Sequence, residues 1–148
     1  MKVILFEPQI PQNTGNIVRT CKVVGASLLL VRPLGFSVSD KALKRAGLDY
    51  WDGVGVEIID DLYKYLETLE HPFYFFSSKA NKSYTEVAYS KDAHLIFGSE
   101  TKGLNPIFFE RWPQHFITLP QKPHARCLNL SNAVAVGLYE AWRQHNFL

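Results

Sequence analysis

Residues 3–25, VILFEPQIPQNTGNIVRTCKVVG, spell out one strand, one loop and one helix. The apolar run 3–6 reads as a buried strand. A loop with two prolines follows. Asn13 or Thr14 then starts a helix that runs to about Val24, and Gly25 ends it. The same alternation recurs down the chain. Strands are predicted over 28–32, closed by Pro33, over 56–59, over 73–76 after Pro72, over 94–97 before Gly98, and over 115–119, stopped by Pro120. Between them, Asp40 caps a short basic helix over 41–46 that Gly47 ends. Asp60 caps a helix to about Leu69, in which Leu62, Tyr65, Leu66 and Leu69 recur at helical spacing. Pro106 opens a short helix over 107–111. Asn129 or Ser131 caps a last helix that runs through about His145. Strand–helix alternation of this kind predicts an α/β fold, a mainly parallel sheet flanked by helices. Strand order does not follow from the pattern.

The 148 residues suit a single domain over 1–148. A chain of this length buries roughly 70% of the surface its unfolded form exposes. The apolar share of 47% and charged share of 20% exclude a disordered chain. Net charge is only +2, so a nucleic-acid footprint would have to be local. Cys21 and Cys127 are far apart and form no CxxC pair, which excludes a disulfide framework and fits a reducing cytosol. The five histidines are scattered, and no metal site is expected. The run 3–6 is too short for a signal-peptide core, and no apolar stretch approaches the ~20 residues of a membrane span. A cytoplasmic protein without a membrane partner is expected.

In open parallel sheets, ligands collect at the carboxyl ends of the strands. Three such ends are polar, Gly-bearing or loop-rich. In the first, residues 7–19, Asn16 and Arg19 share a helix face and Asn13 sits near the helix start. Helix N-termini attract anions, and a guanidinium one or two turns in can reach the same phosphate or sugar. The alternative is an N-cap and a solvated arginine. In the second, residues 97–104, Gly98 would let a ligand approach the backbone closely and Gly103 permits a tight turn. Glu100 could accept hydrogen bonds from a ribose or amine, or be an ordinary solvated loop acid. In the third, residues 119–132, Asn129, Ser131 and Asn132 crowd one helix start. That is more than capping requires. Pro120 and Pro123 stiffen the preceding loop. No GxGxxG follows the first strand, no Walker A spacing is present, and no GxSxG elbow occurs.

Together these segments resemble the three motifs of the SPOUT methyltransferases. The strings that carry the resemblance are Pro11-Gln12-Asn13-Thr14-Gly15-Asn16-Ile17-Val18-Arg19-Thr20-Cys21, Arg45-Ala46-Gly47-Leu48-Asp49-Tyr50, Phe97-Gly98-Ser99-Glu100-Thr101-Lys102-Gly103-Leu104, and Asn129-Leu130-Ser131-Asn132-Ala133-Val134 with Tyr139-Glu140-Ala141-Trp142-Arg143. The likeness spans essentially the whole chain. It is closest to the minimal subgroup, without an added RNA-binding domain, that 2′-O-methylates the wobble cytidine or modified uridine of leucine tRNAs. It implies a C-terminal trefoil knot, which periodicity alone would not suggest.

The resemblance also implies a methyl donor, S-adenosyl-L-methionine, with S-adenosyl-L-homocysteine as product. Phe76, Ser77, Gly98, Glu100, Leu119, Pro120, Cys127 and Leu128 would hold it. Phe76 and Leu119 would supply apolar walls, core, or both. Cys127 stands where relatives generally carry Ser, and a thiol is the weaker hydrogen-bond partner. Its alternative role is that of a small packing residue. The implied catalytic residues are Asn13, Arg19 and Asn129. Arginine keeps its proton at a pKa above ~12, so a literal base is a poor role for it. Binding the adjacent phosphate and stabilising the developing alkoxide suits Arg19 better, with Asn13 orienting the ribose or Arg19, and Asn129 holding the hydroxyl. Lys41, Lys44 and Arg45 share a face of the short basic helix, which is either a phosphate-contacting surface or a solvated one. Arg126, with Arg32, Lys122 and His124, would extend that surface toward a tRNA anticodon stem-loop. The resemblance further implies a homodimer through the first and last helices, and Ala133, Gly137 and Ala141 form a small-residue stripe on the last one. The competing readings are an rRNA or other-position ribose methyltransferase, and a catalytically silent RNA-binding protein of the same fold.

Overall fold

In a computed structural model, which describes residues 1–37, 39, 41, 45 and 51–148, six strands form one sheet. They are β1 (Lys2–Phe6), β2 (Ser27–Val31), β3 (Val56–Ile59), β4 (Phe73–Phe76), β5 (His94–Phe97) and β6 (Phe116–Ile117). The helices are α1 (Pro11–Val24), α2 (Leu62–Glu67), α3 (Pro106–Arg111) and α4 (Leu130–Arg143). Every strand pair is parallel, in the order β3-β2-β1-β5-β4-β6. The chain builds outward from β1 to β3, then returns to build the other half beyond β5. The reversal therefore lies between β1 and β5, where open parallel sheets place ligands.

The strands read as continuous apolar runs because both sheet faces are covered. Alternation sends Val3, Leu5, Leu28, Leu30, Leu95 and Phe97 to one face, where they meet Ile17, Val18 and Cys21 of α1 and Val134, Leu138 and Ala141 of α4. It sends Ile4, Leu29, Val31, Phe75 and Ile96 to the other, against Leu62 and Leu66 of α2 and Phe108 of α3. Fully burying a Val or Leu contributes about 1.5–3 kcal/mol, so each face is a substantial part of the core.

Several element boundaries differ from expectation. Helix α1 begins at Pro11, not at Asn13 or Thr14. Proline suits the first helical position because its missing N–H would have had no intrahelical partner. Asn13 is thereby released from capping. Gly25 ends α1 in the left-handed conformation, φ 76°, as expected. Asp61, not Asp60, caps α2 by accepting from the Lys64 amide, while Asp60 pairs with Arg32 at 2.8 Å. Arg32 therefore stands in an exposed ion pair. The strand expected over 115–119 shrinks to two residues after a 3-10 turn, Pro113–His115. Asn129, not Ser131, caps α4, which ends at Arg143. The helix expected over 41–46 lies outside the described residues apart from Lys41 and Arg45, both exposed. Lys44 is not among the described residues.

The small-residue stripe of α4 has an internal use. A Cβ on Gly137 would lie 2.8 Å from Cζ of Phe76 and 3.4 Å from that of Phe97. Gly137 is what lets α4 settle onto these two stacked rings. Gly137 and Ala141 are buried within the chain, so the stripe does not itself point to a second copy.

Candidate active site

Three segments distant in sequence meet at the carboxyl ends of β1 and β5. Their link is Glu100, on the loop that leaves β5. One carboxylate oxygen accepts from the Gln9 amide at 2.8 Å. The other accepts from the Ile10 amide at 3.1 Å and from Nδ2 of Asn13 at 3.2 Å. The Asn13 side-chain oxygen in turn accepts from Nδ2 of Asn129 at 2.9 Å. The Asn129 oxygen accepts from the backbone amide of Ser131 at 2.9 Å and from its hydroxyl. A continuous chain of hydrogen bonds thus joins the loop after β1, the start of α1, the loop after β5 and the start of α4. Negative charge at the start of α1 is favoured by the unpaired amides there and by the helix dipole.

The local sequence explains each part. Pro8 and Pro11 hold the loop after β1 extended and leave the Gln9 and Ile10 amides pointing at an acceptor. Glu7 adopts φ 50° to make the bend, and Nε2 of Gln9 donates to the Glu7 carbonyl at 2.9 Å. The loop after β5 closes on itself: the Ser99 amide donates to the Gly103 carbonyl at 3.1 Å and the Gly103 amide to the Ser99 carbonyl at 3.0 Å. A Cβ on Gly98 would lie 2.4 Å from the Gly103 carbonyl carbon. The expected close approach to Gly98 is therefore made by the chain's own backbone. Gly103, at φ 64°, supplies the turn.

The site therefore brings together Asn13, Glu100 and Asn129. Asn13 is only 4% exposed, and both ends of its amide are engaged. Arg19 lies two turns into α1 and is exposed, on one stripe with Gln12, Asn16 and Val23. Phe76 is buried against Phe97, and Leu119 packs at the edge of the same core. Ser77 and Gly98 are half-buried, at the carboxyl ends of neighbouring strands. Pro120 through Asn129 are all exposed, so Cys127 is an open-loop residue rather than a packing one. Leu128 exposes 47% of its surface and Arg126 is also exposed. The other cysteine, Cys21, is buried in the core, which pushes its thiol up to about 12 and removes it from chemistry. Sequence reasoning missed Gln9 and Ile10, which act through backbone amides. The Pro-x-x-Pro spacing around them was the available signal.

This arrangement has relatives. Residues 1–139 match the SpoU rRNA Methylase family. The chain belongs to that family. It is 42% identical over 147 residues to the tRNA (cytidine(34)-2′-O)-methyltransferase of Methylovorus glucosotrophus (strain SIP3-4), covering 98% of this chain and 96% of that one. A solved structure described as giving structural insights into the 2-OH methylation of C/U34 on tRNA superposes with a TM-score of 0.91 at 39% identity, over 98% of this chain and 95% of that one. An AdoMet-bound rRNA methyltransferase from Sinorhizobium meliloti superposes with a TM-score of 0.84 at 25% identity, over 96% of this chain and 55% of that one.

Proposed function

We propose that this chain is a single-domain tRNA methyltransferase that transfers a methyl group from S-adenosylmethionine to the ribose 2′-hydroxyl of the wobble nucleotide, a cytidine or modified uridine, in leucine isoacceptors. The observation that carries this reading is the Glu100–Asn13–Asn129 chain, which ties all three motif loops to one point at the start of the helix that carries Arg19. Relatives named for this reaction at 42% identity and near-complete coverage support the target.

The residues present fit the donor. The loops after β4, β5 and β6 lie on adjacent strands, with Phe76 and Leu119 as apolar walls and Ser77, Gly98, Pro120, Cys127 and Leu128 offering backbone groups for an adenine and a ribose. Glu100 would take part through its loop backbone, since its carboxylate already accepts from three donors. When bound, the sulfonium supplies an activated methyl group. The protein's own work is then placement and charge. Holding hydroxyl and methyl in line can remove several kcal/mol from the barrier. Arg19 binds the phosphate next to the target ribose and stabilises the alkoxide as it forms. Asn129 holds the hydroxyl, and Asn13 fixes Asn129 against the Glu100 clamp.

The passage of residues 117–118 between two arms of the loop after β4 supports a C-terminal knot. The Ser77 amide donates to the Ile117 carbonyl on one side, while the Thr118 amide donates to the Lys82 carbonyl and the Tyr84 amide to the Thr118 carbonyl on the other. Homodimerisation through α1 and α4 is supported by their exposed apolar groups, Ile10 just before α1, Val23 on it, and Val136 and Tyr139 on the outer face of α4. Lys41, Lys44, Arg45 and Arg126 would contact the anticodon stem-loop phosphates. The test is methyl transfer from radiolabelled donor to total tRNA, with nuclease mapping of the product. Label in a 2′-O-methylated wobble nucleoside is expected. Label on a base, or none on tRNA, would refute the reading.

A further inference from the structure

A surface groove of about 440 Å³ opens beside the edge strand β6, outside the three motif loops. Lys79, Asn81 and Lys82 line one wall, and Phe109, Gln114 and Phe116 line the other. Among the described residues, no aspartate or glutamate lines it. Both lysines are exposed, and neither belongs to an ion pair among the described residues. The acids next to the walls in sequence are Glu86, committed to capping Ser83, and Glu110 on α3.

Phe109 has no evident core role. Its neighbour Phe108 fills the core, 3% exposed, whereas Phe109 is 54% exposed. Its ring stands edge-on against Phe116, centroids 5.1 Å apart and planes at 81°. Phe116 is itself fixed in β6 by pairing with Phe75. Phe109 is thus a supported ring with an open surface. An isolated exposed phenylalanine needs no explanation. One set across a groove from two unpaired lysines has the composition of a single-strand nucleic-acid site, in which bases stack on aromatics and phosphates meet cations.

One wall of the groove reaches the carboxyl end of the sheet. Its lysine wall follows the carboxyl end of β4, and the Lys82 carbonyl accepts from the Thr118 amide at 2.8 Å. Leu119 and the third motif loop follow directly. We propose that this groove binds a single-stranded segment of the RNA substrate, with one base stacked on Phe109 and neighbouring phosphates on Lys79 and Lys82. An acidic peptide would use the lysines but leave the ring idle. The identification of that RNA as tRNA rests on the proposed function; the chemistry of the groove does not.

The test is fluorescence anisotropy of the whole protein with a labelled oligouridylate and with a labelled anticodon stem-loop, alongside methyl-transfer kinetics. The double variant Lys79→Ala/Lys82→Ala is expected to bind oligouridylate about tenfold more weakly. Its log–log salt slope should be shallower by about 1.4, the value for two single-strand phosphates. The Lys79→Arg/Lys82→Arg pair should restore both. Phe109→Ala should weaken binding on the order of tenfold with its salt slope unchanged. With the stem-loop as substrate, the KM should rise and kcat stay the same. Unchanged affinity and slope in the alanine variants would overturn the proposal, as would equal competition by poly-glutamate. A wild-type protein that binds oligouridylate through the groove yet methylates no tRNA would sink the proposed function and leave the groove standing. Normal tRNA methylation with indistinguishable groove variants would sink the groove alone.

Discussion

The two ends of the one sheet each hold a buried polar side chain, Asn13 at the carboxyl end and His94 at the amino end, in networks of opposite kinds. At the carboxyl end, Glu100, Asn13 and Asn129 come from residues 87 and 116 positions apart and sit beside exposed loops. At the amino end, His94 is 5% exposed, its Nε2 lies 3.2 Å from the Tyr65 hydroxyl, and its Nδ1 lies 3.0 Å from the Asp92 carbonyl. His71 stacks on it and meets the Asp92 carboxylate at 2.8 Å. That cluster lies within the span from α2 to β5, with Lys2 and the N-terminus close enough to act on it. Burial of a polar side chain is therefore not what distinguishes a site in this fold. The carboxyl-end network differs by joining loops that are distant in sequence.

Substitutions at the two ends should separate along this line. Arg19→Ala at the carboxyl end should lower methyl transfer by at least about 100-fold, the scale of losing one group that stabilises developing charge. Its melting temperature should hardly move, because Arg19 is exposed. Transfer at a near-normal rate would remove Arg19 from the mechanism.

Glu100→Gln sets an amide NH₂ against backbone donors. It should cost about 1.5–3 kcal/mol in urea unfolding, the range for losing hydrogen bonds to a charged group. Transfer should fall roughly tenfold or more as the start of α1 shifts. A variant that lost donor affinity but kept full stability would assign the carboxylate to the donor instead of the clamp.

Gly137→Ala should cost about 1 kcal/mol. The methyl group 2.8 Å from the Phe76 ring overpacks the core, and the gain in helix propensity offsets part of that cost. Because Phe76 would be displaced, donor affinity measured by calorimetry should fall with it.

The amino end should show its effect only in pH dependence. Burial holds His94 below its ordinary value of 6.5 against the hydrogen bond to the Asp92 carbonyl, which raises it, and the charges of Lys2, His71 and the N-terminus push with burial. The unfolded chain regains the ordinary value and binds the proton more readily. Stability should therefore fall as pH drops below about 6.5, until the folded value is passed. Asp92, whose carboxyl is lowered first by the Ser90 hydroxyl and then by His71, adds its own loss only below about 3.8. His94→Gln should flatten the urea-midpoint curve between pH 7 and pH 5 and leave methyl transfer at pH 7.5 unchanged.

Sequence reading reached these two ends unequally. The runs 3–6, 73–76 and 94–97 announced buried strands because a parallel sheet covered on both faces needs no polar alternation, and the fold class followed. Asn13, Glu100 and Asn129 were legible as chemistry-bearing positions. Their mutual hydrogen bonds were not, because they depend on β5 lying beside β1, an order no local pattern encodes. Gln9 and Ile10 escaped because they contribute amides, which every residue has. The stripe Ala133, Gly137 and Ala141 looked like a meeting place for another helix. The helix it meets is α1 of the same chain, and Gly137 makes room for Phe76, a residue far away in sequence. Asp60 was the expected cap of the helix after β3; Asp61 takes that place, and Asp60 pairs with Arg32.

The most direct test of the account uses anticodon stem-loops carrying either ribose or 2′-deoxyribose at the wobble nucleotide alone, incubated with radiolabelled S-adenosylmethionine. Label is expected in the ribose substrate and none in the 2′-deoxy one, with binding of both. Equal labelling of the two would contradict the account.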